Sequence, residues 1–130
     1  MRIWGGVMKI YNEQPIEVLW KILKTVTGLN IYKEEMDEDN EKSIPNSYVL
    51  IRTKLTDSPK NFGDGLVNLR VSDCDVLIVS KGKLSTLHKG NCTKVRNVLN
   101  DFAYSEFFLG YDESTKETTT TFNLDVFYTV

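Results

Sequence analysis

Three side chains in this sequence have the chemistry of soft metal ligands or nucleophiles: Cys74, Cys92 and His88, the single histidine. A structural zinc site uses four such ligands, commonly in CxxC or HxxxH spacing, and neither spacing occurs here. Both cysteines are therefore expected as reduced, buried thiols without metal. Asp73 and Asp75 are the closely spaced acids of a strand-like stretch. Two apart, they point the same way, and such a pair can share a proton as catalytic acid and base. No base, nucleophile or metal ligand accompanies them, so a solvated step on the open face of a sheet is the competing reading. Gly63-Asp64-Gly65 has the glycine content of a phosphate loop, yet it lacks the Gly-Lys-Ser/Thr ending and precedes a strand. The acidic run Glu34, Glu35, Asp37, Glu38, Asp39, Glu41 lacks the Asp-x-Asp-x-Asn-Gly alternation of a calcium loop. These patterns assign no catalytic, metal-binding or cofactor-binding residue, and the chain is expected not to be an enzyme.

Composition narrows the class. The chain has 130 residues, 41% hydrophobic and 26% charged, the balance of one globular domain spanning residues 1–130. A formal net charge of -2 and a pI near 5.4 argue against nucleic acid as the main partner, because phosphate binding calls for a basic face. No apolar run approaches the roughly 20 residues that span a bilayer. Residues 1–7 read as a flexible leader, and Gly5, Gly6 and Lys9 interrupt any signal-peptide core, so a cytoplasmic protein is expected.

The elements that must position these side chains follow from periodicity. Asn12 reads as an N-cap and Pro15 as a first-turn residue. Ile16, Leu19, Trp20, Leu23 and Val26 then form an apolar helical stripe, with Glu17 and Lys21 paired on the wet side and Gly28 closing the helix at C′. Residues 29–33 read as a short strand. Residues 34–46 are an acidic loop, because a block of like charge repels itself, and Ile44-Pro45-Asn46 supplies its closing turn. Residues 47–55 read as a strand, joined through the turn-rich stretch 56–65 to the next strand as an antiparallel hairpin. Val67, Leu69 and Val71 alternate with polar residues, whereas the apolar positions after Asp75 are even as well as odd. Either a bulge at Cys74 re-aims the strand or a strand buried on both faces begins there. Cys92, Val95, Val98, Leu99 and Phe102 give a second helical stripe, beginning near Ser85 or, if Gly90 breaks it, at Asn91. Phe107-Phe108-Leu109 leads through a polar loop to a strand over residues 118–130. Its apolar set is Phe122, Leu124, Val126, Tyr128 and Val130, opposite Thr119, Thr121, Asn123 and Asp125.

The expected fold is α+β: two layers, one mostly antiparallel sheet of four to five strands, and two helices packed on one face. Trp20, Leu23, Val95, Leu99 and Phe102 should meet Val49, Ile51, Val76, Ile78, Leu124 and Val126, with residues 76–79 on a central strand. The last strand is long, proline-free and lightly charged, so it is expected as an open edge available for pairing with another chain.

This layout of an amphipathic helix, Ile31-Tyr32, a polar stretch, Ile44-Pro45-Asn46-Ser47-Tyr48-Val49, a hairpin, a helix and a final strand pair ending in Phe127-Tyr128 resembles a known family. It looks like the tail terminator, or tail completion, proteins of long-tailed bacteriophages and prophages, over most of the chain from Met8 onward. The resemblance implies a non-enzymatic structural virion protein, made in the host cytoplasm and carried in the tail or neck. Its ring, commonly hexameric when assembled and monomeric when dilute, would cap the tail tube protein and join it to the head connector protein. It implies no cofactor, no nucleic acid sequence recognition and no membrane. The assembly surface is expected at Glu34, Glu35, Asp37, Glu38 and Asp39, at Asp57 and Lys60, and at Thr118, Thr119, Thr121, Asn123 and Asp125. The alternatives are another neck component (head-closure or tail-to-head joining protein), a small α+β enzyme, or an adaptor module.

Overall fold

The structure, a computed structural model, describes residues 9–26, 28–34, 45–53, 58–59 and 69–129. In chain order the elements are β1 (Ile10–Tyr11), α1 (Pro15–Lys24), β2 (Ile31–Lys33), β3 (Ser47–Thr53), β4 (Ser58–Pro59), β5 (Leu69–Lys81), α2 (Thr86–Val98), β6 (Tyr104–Asp112) and β7 (Glu117–Thr129). The class is mixed α+β. The sheet has seven strands in the order β1-β7-β5-β3-β2, with β4 also on β5 and β6 also on β7. It is curled and mixed, in place of the four to five mostly antiparallel strands expected, because short β1 and β2 add in parallel at its margins.

The central strand is β5, as the apolar run predicts: it pairs antiparallel with β3 on one side and with β7 on the other. It is one unbroken strand. Its pairing with β7 runs without a register shift from Leu69↔Thr129 to Lys81↔Glu117, so there is no bulge at Cys74. The helix-covered face carries Ser72, Cys74, Val76, Ile78 and Ser80, all buried. Val71 falls on the other side, and Leu77 and Val79 are buried there as well, which makes residues 76–79 apolar on both faces.

Both helices feed one core. Val18, Leu19 and Leu23 of α1, with Cys92 and Val95 of α2 and Leu99 just beyond it, cluster with Val49, Ile51, Val76, Ile78, Phe122, Leu124 and Val126. Helix α1 begins two residues later than an Asn12 cap would have it. Gln14 is the N-cap, without a side-chain bond, and Pro15 opens the helix. It also ends early, at the Thr25 cap, whose Oγ1 donates to the Ile22 carbonyl (2.7 Å). Glu17 pairs with Lys33 (2.6 Å) rather than with Lys21, which pairs with Glu13. The Lys24 and Lys33 ammonium groups lie 4.9 and 4.7 Å from the Trp20 ring centroid, so this half-buried indole is covered by cations. Ser85 caps α2 by accepting from the His88 N–H (3.2 Å), which settles the open start. Gly90 lies inside the helix and does not break it. Phe102 packs beyond the helix end, stacked on Tyr11 at 6.0 Å.

The expected open edge is overturned as well. The C-terminal strand β7 is not an edge: β5 occupies one side of it, and β6 and β1 occupy the other. The thirteen-residue length that suggested an edge instead lets β7 serve three neighbours. Placing Pro at Thr120, a buried ladder position between Ile78 and Phe108, is therefore expected to destabilise the fold itself, because Pro is excluded from interior strands. Circular dichroism melting checks this; a variant that melts like the parent would restore the edge reading. Leu99→Ala, at a fully buried position, is expected to cost about 2–5 kcal/mol in a denaturant titration. A loss below about 1 kcal/mol would mean that the segment after α2 is not packed against the core.

Candidate functional site

The side chains with chemical potential are spent inside the fold. His88 is buried, with Nδ1 2.7 Å from the Ser80 hydroxyl and Nε2 2.9 Å from the Thr120 hydroxyl. The Ser80 hydroxyl is in turn 2.8 Å from that of Ser47, which accepts from Asn91 Nδ2 at 2.9 Å. One chain of hydrogen bonds thus ties α2 to β3, β5 and β7, and each buried hydroxyl has a partner. Burial pushes the His88 pKa down, which favours the neutral ring whose two nitrogens can bond two hydroxyls. Cys74 and Cys92 are free and buried. Burial pushes the Cys92 thiol up, which keeps it protonated and a poor nucleophile. Among the described residues no three His, Cys, Asp or Glu side chains converge as a metal site.

Asp73 and Asp75 do share the open face of β5, and Asn123 lies between them. Its Nδ2 donates to Asp73 Oδ1 at 2.7 Å and to Asp75 Oδ1 at 2.9 Å. A side-chain amide that bridges two carboxyl groups on β5 from β7 ties these two strands together on their open face.

The expected assembly residues fare unequally. Thr118 is buried on the helix-facing side, where its hydroxyl donates to the Gly82 carbonyl at 2.7 Å, so it belongs to the fold and not to a surface. Its even position places it with Phe122, not with Thr119 and Thr121, which are half-buried on the opposite face. Asn123 is committed to the two aspartates, and Asp125 is exposed beside Asp73. Glu34 is exposed and left-handed (φ 60°), at the end of β2. Glu35, Asp37, Glu38, Asp39, Asp57 and Lys60 lie outside the described residues.

The surface that stands out is one the assembly list missed. Strand β6 pairs only with β7, so among the described residues its outer side is an open edge. It displays Phe107, Phe108 and Leu109 with 51%, 60% and 62% exposure, three consecutive large apolar side chains facing water. A register shift between Phe108 and Gly110 (φ 89°) bulges the strand there. This explains why Leu109 breaks the alternation that would have hidden every second residue. Leu84 and Leu87, at the start of α2, are also about half exposed, and Leu84 shares a recess with Phe108. Between α2 and β6 lies a recess of about 320 Å³, with Leu84 and Phe108 at its mouth and His88, Cys92 and Thr120 at its floor. The Arg96 guanidinium reaches Glu106 through two bonds of 2.9 and 2.8 Å, closing one end and holding the Glu106 carboxyl below the usual carboxylate range. The only sequence signal for this surface was a run of three apolar residues without alternation, beside a helix start that carries leucines at Leu84 and Leu87.

Among the described residues no helix is long and apolar enough to cross a membrane. No protein-family model and no curated protein matches the chain.

The buried histidine makes a pH prediction with a definite sign. Its folded pKa lies below the unfolded value of about 6.5, so the unfolded chain takes up protons first and stability falls as pH drops below that value. Urea titrations from pH 7.5 to 5 are expected to show this slope in the parent and a shallower one in His88→Gln. Equal slopes would mean that the ring takes up its proton as readily in the folded chain as in the unfolded one. His88→Ala is expected to cost about 2–5 kcal/mol, since it leaves a cavity and strips the Ser80 and Thr120 hydroxyls of a partner.

Proposed function

We infer that this chain is a non-enzymatic building block of an oligomeric ring, of the tail terminator kind that its layout resembles. The ring caps a phage tail tube and joins it to the head connector. The observation that carries this reading is the open β6 edge with Phe107, Phe108 and Leu109 exposed upon it. A monomer rarely leaves three large apolar side chains exposed on an unpaired strand unless something covers them. The non-enzymatic part is supported by the commitments of His88 and of the Asp73–Asn123–Asp75 bridge, which leave those groups no substrate to act on. The two-layer description of the fold belongs to this reading too, with the curled sheet as one layer and the helices as the other.

The ring is hexameric when assembled, built from subunits that are monomeric when dilute, and it belongs to the host cytoplasm during assembly and to the virion neck afterwards. Its partners are a tail tube protein and a head connector protein. The assembly surface moves from residues 118–125 to β6 and the start of α2.

The test is the oligomeric state as concentration rises, by light scattering and negative-stain imaging, with and without tail tubes. The parent is expected to form rings or cap tubes. The variant carrying Phe107→Ser and Leu109→Ser is expected to stay monomeric while keeping its melting temperature, because exposed substitutions typically change stability by about 0.5 kcal/mol or less. A parent that remains monomeric at every concentration and ignores tail tubes would sink the ring reading.

A further inference from the structure

Strand β6 divides its exposed side chains between the two faces of the sheet. Phe107 is paired with Thr121, which lies on the open face, so Phe107 projects from that face with half its surface in water. Phe108 is paired with Thr120, which is buried on the helix-covered face, and the two line the recess against α2. The same rim thus carries an aromatic projection on one side and a hollow on the other. The hollow has room for a ring. Its volume is about 320 Å³, and an apolar cavity of about 150 Å³ accepts benzene. Its lining also suits an aromatic guest. Leu84, Phe108 and Cys92 give apolar contact, and Lys89 and Arg96 bring cations that favour the face of a π-system. Glu106, the one acid of that lining, is held by Arg96.

We propose that the α2–β6 recess is the socket for Phe107 of a second copy of this chain. The inference rests on the ring reading and deepens it by naming the two surfaces that meet. Among the described residues the exposed large apolar side chains are Ile10, Leu84, Leu87, Phe107, Phe108 and Leu109. Only the two phenylalanines are aromatic, and Phe108 already belongs to the socket. Phe107 is therefore the ring that a neighbour has to offer. The geometry also sets the kind of contact. The projection rises from the open face while the hollow opens on the covered face, so two copies cannot fill each other's sockets at once. Where one rim overlaps the next, one copy gives its ring and the other receives it. Such a contact is heterologous, the type that continues from copy to copy and closes into a ring where the rotation allows.

Two variants that each lose one half of the contact test this. Phe107→Ser loses the projection. Thr93→Trp fills the socket from an exposed position on its lining. Sedimentation velocity reads assembly, and melting curves check that both variants fold; Leu84→Asp, which removes the apolar mouth, replaces Thr93→Trp if that chain does not. Each variant alone is expected to need at least about tenfold more protein than the parent to associate, as the loss of an anchoring interface aromatic commonly requires. Their equimolar mixture is expected to form dimers and nothing larger, because the one intact projection meets the one intact socket only once. Either variant associating like the parent, or a mixture that stays monomeric, overturns the docking. So does a parent that stops at two copies, the mark of a two-fold pairing of β6 edges. Rings formed by the variants would remove the docking and keep the ring reading. Open filaments from the parent, with dimers from the mixture, would keep the docking and remove the ring. A parent that never associates removes both.

Discussion

The strand ladder on β5 is the constraint from which the rest of the molecule follows. Thirteen consecutive residues are paired with β7, and seven of them are paired on the other side with β3. A strand held on both sides has no freedom to slip, since a one-residue shift would turn every core side chain outward. The parity of the whole sheet is thereby set: Val49 and Ile51, Val76 and Ile78, and Phe122 and Leu124 meet the helices together. The same parity puts Ser80 and Thr120 on the covered face, where hydroxyls need partners. His88 and Asn91 of α2 provide them. The polar chain under the start of α2 is thus the consequence of an apolar ladder that runs one step further than its apolar residues do. It also fixes where the helix sits, because hydrogen bonds are directional while hydrophobic contact is not.

Enclosing β7 moves the exposed edge outward to β6. That edge carries devices that discourage indiscriminate pairing: a bulge at Leu109, an acid at each end of its central part in Glu106 and Asp112, and a salt bridge from Glu106 to the neighbouring helix. It also carries three exposed apolar side chains, which those devices do not neutralise.

Much of the fold was legible because it rests on periodicity. The stripes through Leu19 and Leu23 and through Cys92, Val95 and Leu99, and the two-sided run from Val76 to Val79, all found their places. The misreadings have separate physical causes. Thr118 looked like surface because threonine is usually wet, whereas the Gly82 carbonyl accepts from its hydroxyl and so offsets the cost of burying it. Strands β1 and β4, of two residues each, leave too short a pattern to see. The edge was assigned to β7 because it is long, proline-free and lightly charged, features that equally suit a strand paired on both sides.

The open face of the sheet is divided along its length, and the division bears on which surfaces remain for association. At one end Tyr48, Val79 and Thr119 lie side by side, with the Tyr32 ring set edge-on against Tyr48 at 5.9 Å. At the other end Asp73 and Asp75 are bridged by Asn123, with Asp125 opposite Asp73. Three carboxylates so close repel one another, and the amide bridge answers two of them. Among the described residues, the open face thus carries charge at one end, whereas the exposed apolar side chains lie on β6 and at the start of α2. On the ring reading proposed above, lateral contact through the rim of the sheet fits this distribution better than stacking through its open face.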